Sequence, residues 1–340
     1  MRLNMYASLE HYAEHLWPIW EALPERLRGV SWSTQHGSWW GAPQAGAGDA
    51  SAHPGPLLVA SHGDAVSVAA RGRDLVYVEH GAGQTYEGDP AGAGAAGLSG
   101  SRDRAMRRVV MFICPNETVA ERWRAAYPLA QAVVVGCPKL DRWHRNRLVV
   151  PGPRLVVAVT FHWDSSLVPE TMTAWPEYNP VLPELAAWCA ANDVDLVGHG
   201  HPRIWPRIER RWDELGVPAI RQLGDVFDRA SILVADNTSA MYEFASLGRP
   251  VVALNSQHYR RDVDHGLRFW SHVPGLEVDE PGELVGSHGW GVLPTVVAAL
   301  RQDVLLGDER RQAAVDAAYA HTDGHAAERA ADAIVRMLEP

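Results

Sequence analysis

Short apolar runs recur along the chain at 2–6, 57–60, 75–79, 109–113, 132–135, 155–160, 194–198, 232–235 and 251–254, each rich in Val, Ile and Leu. Near-continuous apolar segments of this length suit parallel strands buried on both faces. Between them lie amphipathic stretches at 9–23, 117–127, 183–191 and 239–247, whose apolar spacing predicts helices. The alternation predicts repeated βαβ units and an α/β fold. Val-Val-Pro-Gly-Pro-Arg at 149–154 interrupts the series as a linker would. Two domains are therefore expected, 1–150 and 151–322. A terminal helix at 323–340 follows, with Asp323 as its N-cap and apolar positions at Ala327, Ala330, Ala331, Ile334 and Leu338, and it can return to the first domain. Segments 41–56 and 88–100, rich in Ala, Gly and Pro, read as loops, the second as a flap over a site. No repeat of solenoid period is evident.

The length of 340 residues agrees with two domains, and 46% hydrophobic with 21% charged residues is a globular composition. The net charge is −10 and the 31 basic residues are scattered, which argues against a nucleic-acid surface but not against a local pocket for a small phosphate ligand. Cys114, Cys137 and Cys189 form neither a disulfide framework nor a metal-binding pair, so a reducing cytoplasmic setting is expected. The first residues lack the apolar core of a signal peptide, and no run reaches the ~18 apolar residues of a membrane span. The fourteen tryptophans are dispersed and read as core and cleft walls.

Candidate chemistry clusters where strands end, the place at which open parallel sheets bind ligands. Val78-Glu79-His80-Gly81 ends the third run, offering a histidine for proton transfer and a glycine for close backbone approach; an incidental loop histidine is the alternative. Gly198-His199-Gly200-His201-Pro202-Arg203 offers His201 and Arg203 to a diphosphate, or simply starts a helix. Asp236-Asn237-Thr238-Ser239 joins a buried strand to a helix that carries Glu243; this is an anion site, or an ordinary N-cap. Thr160 and His162 stand at another strand end, with Phe161 and Trp163 as base-flanking or core aromatics, and Lys139 follows Gly136-Cys137-Pro138. His11-Tyr12-Ala13-Glu14-His15 matches an inverted zinc-peptidase pattern but lacks an evident third ligand, so no metal is expected.

Taken together, His80-Gly81, Val135-Gly136-Cys137-Pro138-Lys139-Leu140-Asp141, Val159-Thr160, His201-Pro202, the stretch 225–250 and Asp323-Gly324 resemble, in family order, the CDP-glycerol glycerophosphotransferases of the teichoic-acid polymerase type. The resemblance covers most of 75–335. It implies a GT-B fold, two Rossmann-like domains whose parallel sheets face a central cleft, and transfer of a glycerol-phosphate or polyol-phosphate group, or a glycosyl group, from a nucleotide-diphosphate donor to a hydroxyl acceptor. The first domain would serve the acceptor and the second the donor. It further implies His80 as general base, His201 on the donor diphosphate, and Thr238 and Ser239 on its phosphate oxygens; from their places at strand ends, Arg203 and Asn237 are expected beside them and Thr160, His162 and Glu243 near the nucleotide or polyol. Gly81, Lys139 and Asp236 would line the cleft. The donor is a substrate, so no cofactor is expected. The acceptor would be a glycan, a polyol polymer or a protein glycan. Val159-Thr160-Phe161-His162 departs from the family's Pro-Thr-Trp-Arg and is similar to UDP-N-acetylglucosamine 2-epimerases, which keeps a UDP-sugar epimerase or hydrolase open as the alternative. A non-catalytic nucleotide-binding scaffold is the third reading.

Overall fold

The computed structural model describes residues 1–33, 54–69, 72–81, 100–146, 154–164, 172–259, 272–286 and 290–339. The expected flap at 88–99, most of the loop at 41–56 and the linker at 149–153 lie outside these. The chain forms two compact units: Met1–Asn146 with Ala317–Pro340, and Arg147–Asp264 with Arg268–Asp316.

The first unit holds six parallel strands in the order β2-β1-β3-β4-β5-β6, namely β1 (Leu3–Ala7), β2 (Arg28–Ser33), β3 (Leu57–Val59), β4 (Leu75–Val78), β5 (Val109–Cys114) and β6 (Gln131–Val134). Helices α1 (Glu10–Ala22), α2 (His62–Ala69), α3 (Gly100–Met106), α4 (Glu117–Ala126) and α5 (Asp141–Arg145) connect and flank them. Strand alternation divides the core. Val76 and Val78 of β4 face α1 and the C-terminal helix, with Leu16, Ile19, Ala330 and Ile334. Leu75 and Tyr77 face the other way, onto Val68 and Trp123.

The second unit repeats the arrangement with five parallel strands, β7 (Val156–Phe161), β8 (Asp195–Gly200), β9 (Ile232–Ala235), β10 (Val251–Leu254) and β11 (Leu276–Val278), ordered β8-β7-β9-β10-β11. The accompanying helices are α6 (Trp175–Tyr178), α7 (Leu182–Ala191), α8 (Trp205–Glu214), α9 (Leu223–Arg229), α10 (Ala240–Ala245), α11 (Val292–Leu300), α12 (Asp308–Ala318) and, returning to the first unit, α13 (Ala326–Leu338). Gly198 of β8 is required by packing, because a Cβ there would lie 2.3 Å from the Trp212 ring of α8. In both units the second strand lies beside the first and the third lies on the first strand's other side. This reversal opens a crevice at the strands' carboxyl ends.

Two strands escape the apolar-run reading. Both β2 and β11 are sheet edges, where one side meets solvent and polar residues such as Arg28, Ser31 and Glu277 are tolerated. The terminal helix also starts differently from expectation. Its N-cap position is His325, and the capping carboxylate comes from Asp141, which accepts from the Ala326 and Ala327 amides at 3.0 and 2.7 Å. Asp323 instead binds Arg329, at 2.9 Å from Nη1, and this contact holds its carboxyl well below the usual range.

Candidate functional site

The reversal point of the second sheet lies between β7 and β9. The register pairs Thr160 with Ala235 and Phe161 with Gly200, so His162, Asp236 and His201 emerge at adjacent strand ends. Asp236 has no exposed surface. Its Oδ1 accepts from the His162 amide at 2.7 Å, and its Oδ2 accepts from the Thr173 hydroxyl at 2.7 Å and the Ala174 amide at 3.0 Å. Three donors compensate the burial of this charge. The carboxylate expected to line a cleft is instead a brace that fixes the backbone entering His162.

Around that brace the rings gather. His162 and His201 stand 5.5 Å apart between centroids, and Trp163 lies 6.0 Å from His201. The Arg203 guanidinium stacks on Trp163 with its carbon 4.0 Å from the ring centre. Nδ1 of His201 accepts from the Arg203 amide at 3.2 Å. An accepting nitrogen carries no proton, so the neutral ring holds its proton on Nε2, a donor suited to a phosphate oxygen. Thr238 and Ser239 are partly exposed beside the buried Asn237. Thr238 Oγ1 accepts from the Ala240 amide at 3.4 Å, whereas Ser239 makes no side-chain cap bond. Helix α10 has only 6 residues, so its dipole adds little and the side chains carry the anion-binding capacity.

Three expected donor contacts lie deeper. Thr160 is buried and its hydroxyl lies 2.6 Å from His199 Nδ1. Glu243 is buried one turn into α10. Asn237 is buried, and its amide donates to the Tyr259 hydroxyl at 3.4 Å. Sequence reasoning did not find Thr173, Tyr259 or Arg249. Buried Arg249 donates to the Phe227 and Ala230 carbonyls at the end of α9. Its place in Gly-Arg-Pro between a helix and a strand was the available signal.

A separate group forms in the first unit. His80 is half-buried beyond β4, and Gly81 beside it is buried. The His80 ring meets Tyr12 of α1 edge-on at 5.1 Å and His15 at 6.3 Å. Lys139, expected in a cleft, is buried and pairs with Glu14 of α1 at 3.3 Å. Burial pushes the His15 imidazole well below its ordinary pKa, with Lys139, His80 and His11 adding to the effect. Of the pattern His-Tyr-Ala-Glu-His, His15 lies beside His80 and Glu14 pairs with Lys139. Among the described residues, no group of three or more His, Cys, Asp or Glu side chains is placed to hold a metal. Glu79 points to the opposite face from His80. It accepts from Trp123 Nε1 at 3.1 Å, and burial pushes its carboxyl up to about 7.

Two parallel α/β units of this kind are the pair that makes up the GT-B fold, and solved structures agree. A wall teichoic acid polymerase TagF soaked with CDPG is 15% identical with a TM-score of 0.61, over 100% of this chain and 90% of that one. An S. aureus MnaA–UDP co-structure is 14% identical with a TM-score of 0.61, over 99% and 97%. A putative UDP-N-acetylglucosamine 2-epimerase from Listeria monocytogenes is 12% identical with a TM-score of 0.57, over 99% and 96%. At these identities the likeness speaks for the fold. The model of the CDP-glycerol:poly(glycerophosphate) glycerophosphotransferase family matches residues 182–336, a span that includes His201, Arg203, the 237–239 segment and Glu243. The matched span covers less than half of the chain and lies mostly in the second unit. No curated protein sequence matches the chain.

Proposed function

We propose that the chain transfers a glycerol-phosphate, polyol-phosphate or glycosyl group from a nucleotide-diphosphate donor such as CDP-glycerol to a hydroxyl acceptor. The carrying observation is the convergence of His162, His201, Arg203 and Trp163 on the braced reversal point of the second sheet. These groups present N–H donors and cationic charge at one strand edge, which is what a diphosphate requires. In this reading the second unit serves the donor, with His201, Arg203, Asn237, Thr238 and Ser239 on the diphosphate. Thr160 and Glu243 act from beneath, and Asp236 holds the frame.

The first unit serves the acceptor. His80 takes the hydroxyl proton as the acceptor oxygen bonds to the transferred group. The bond from that group to the nucleotide phosphate breaks, and the nucleotide leaves with the electron pair. Positioning and charge stabilisation do most of the work in such a transfer. The acceptor is a glycan, a polyol polymer or a protein glycan. A cytoplasmic setting is supported by three buried free thiols, and no helix among the described residues is long and apolar enough to cross a membrane.

Thermal shift with CDP, UDP, GDP and TDP compounds should select one nucleotide, and turnover of that donor should depend on added hydroxyl acceptor. Turnover without acceptor, giving an epimerised or hydrolysed sugar, would favour the UDP-sugar epimerase reading. A nucleotide that binds with no turnover, with or without acceptor, would leave the scaffold reading, and no shift with any nucleotide would overturn the transferase.

A further inference from the structure

The face of α1 beside His80 carries more chemistry than a base alone requires. His15 is only 4% exposed, and its Nδ1 makes no hydrogen bond among the described residues. Leaving a buried imidazole nitrogen unpaired costs about 1–3 kcal/mol, a cost a sequence sheds easily by placing an apolar residue there. Its ring lies 6.3 Å from that of His80, at 80°. Tyr12, edge-on to His80 at 5.1 Å, adds an aromatic wall, and Lys139 with Glu14 forms an ion pair at 3.3 Å next to them.

We propose that His15 is a second acceptor-binding residue, whose Nδ1 hydrogen-bonds the acceptor hydroxyl and turns it toward His80, with the Glu14–Lys139 pair fixing the helix face that presents it. The proposal rests on the reading of His80 as the base. It adds a substrate preference: the group bound here is an uncharged polyol or sugar hydroxyl, because Lys139 is already paired with Glu14. The charged and titratable groups around His15 are Lys139 from the turn after β6, His80 from the end of β4, and His11 and Glu14 from α1 itself. Helix α13 presents apolar residues to this core, among them Ala330 and Ile334. Burial and the Lys139 cation both favour the uncharged ring. His15 is therefore held in its neutral form, as a fixed hydrogen-bonding partner.

The test follows the imidazole NMR signals of the full chain, with glycerol as the hydroxyl probe. Glycerol should move the His15 and His80 signals together. In His15→Phe the His80 response should require about tenfold more glycerol, the loss expected for one hydrogen bond, and His15→Gln should recover most of it. Lys139→Met should raise the pH at which His15 titrates, whereas Lys139→Arg should not. A His80 response unchanged in His15→Phe, or in His15→Gln should the Phe variant not fold, overturns the proposal. So does a His15 that titrates as an ordinary histidine in the unaltered chain, or one that ignores glycerol. CDP-glycerol and UDP-sugars, followed at His162 and His201, judge the donor reading separately. Silence there with a His15-dependent glycerol response would sink the transferase and leave the hydroxyl site standing.

Discussion

At the scale of single residues, the carboxylates show how burial separates framework from chemistry. Asp236 and Glu79 both follow parallel strands, yet one is satisfied by three donors and the other by one. Asp236→Ala removes a buried acceptor and strands the His162 and Ala174 amides and the Thr173 hydroxyl. It should cost about 3–5 kcal/mol in a denaturant melt, as the loss of a buried charged network does. Glu79 behaves differently because its folded-state pKa is raised, to about 7. Between the usual carboxylate range and pH 7 the folded chain holds this proton and the unfolded chain releases it. The contribution to stability is therefore full in acid and falls as pH rises toward 7. Glu79→Gln keeps an acceptor for Trp123 and should gain up to about 3 kcal/mol over the parent at pH 8, by the shift-to-energy conversion. The gain should vanish below pH 4. Parallel melting curves across pH would refute the protonated state.

At the scale of elements, what the sequence made legible follows the physics of burial. Central strands such as β9, Ile-Leu-Val-Ala, are apolar on both faces and stand where their runs predicted. The edge strands β2 and β11 were invisible because they carry polar residues such as Arg28, Ser31 and Glu277, which an edge tolerates, whereas the edges β6 and β8 keep apolar runs. Side chains that act across long separations were equally hidden. Asp323 looked like a cap from local spacing, but the carboxylate that caps α13 lies 185 positions away in Asp141. Nor could local pattern show that Lys139 would turn to Glu14, or that strand alternation would send Glu79 away from His80. The resemblance grouped Asp141 and Gly324 with the family motifs without saying why. The structure gives a reason, because together they lock α13 onto the first unit. Gly324 has φ +80, and a Cβ there would meet Arg145 at 2.4 Å. Asp141→Ala should therefore cost about 1–2 kcal/mol, the worth of a strong cap. Gly324→Ala should cost at least as much through left-handed strain and the clash. Since α13 packs on α1, hydrogen exchange should quicken in both helices. Exchange quickened in α13 alone would show that the two are not coupled.

At the scale of the whole molecule, the five strands of the second sheet repeat the order of the first five strands of the first, and each sheet carries histidines at its carboxyl edge. The second unit sets His162 and His201 beside an arginine and an aromatic ring. The first surrounds His80 with Tyr12, a buried neutral His15 and an ion pair that cancels its own charge. A charged donor and an uncharged hydroxyl would find their matching environments in separate units, so the two binding functions should be separable by mutation. His201→Ala with Arg203→Ala should weaken calorimetric affinity for the preferred nucleotide diphosphate by about 1.5–3 kcal/mol for each charge-assisted hydrogen bond removed. That weakening should be smaller at high salt, where screening already reduces the contribution of exposed Arg203. His80→Ala should leave the same affinity nearly intact while abolishing acceptor-dependent turnover. If His80→Ala instead loosened the nucleotide as strongly as the double variant, the charge seen by the donor would extend into the first unit, and the division of labour between the two sheets would have to be abandoned.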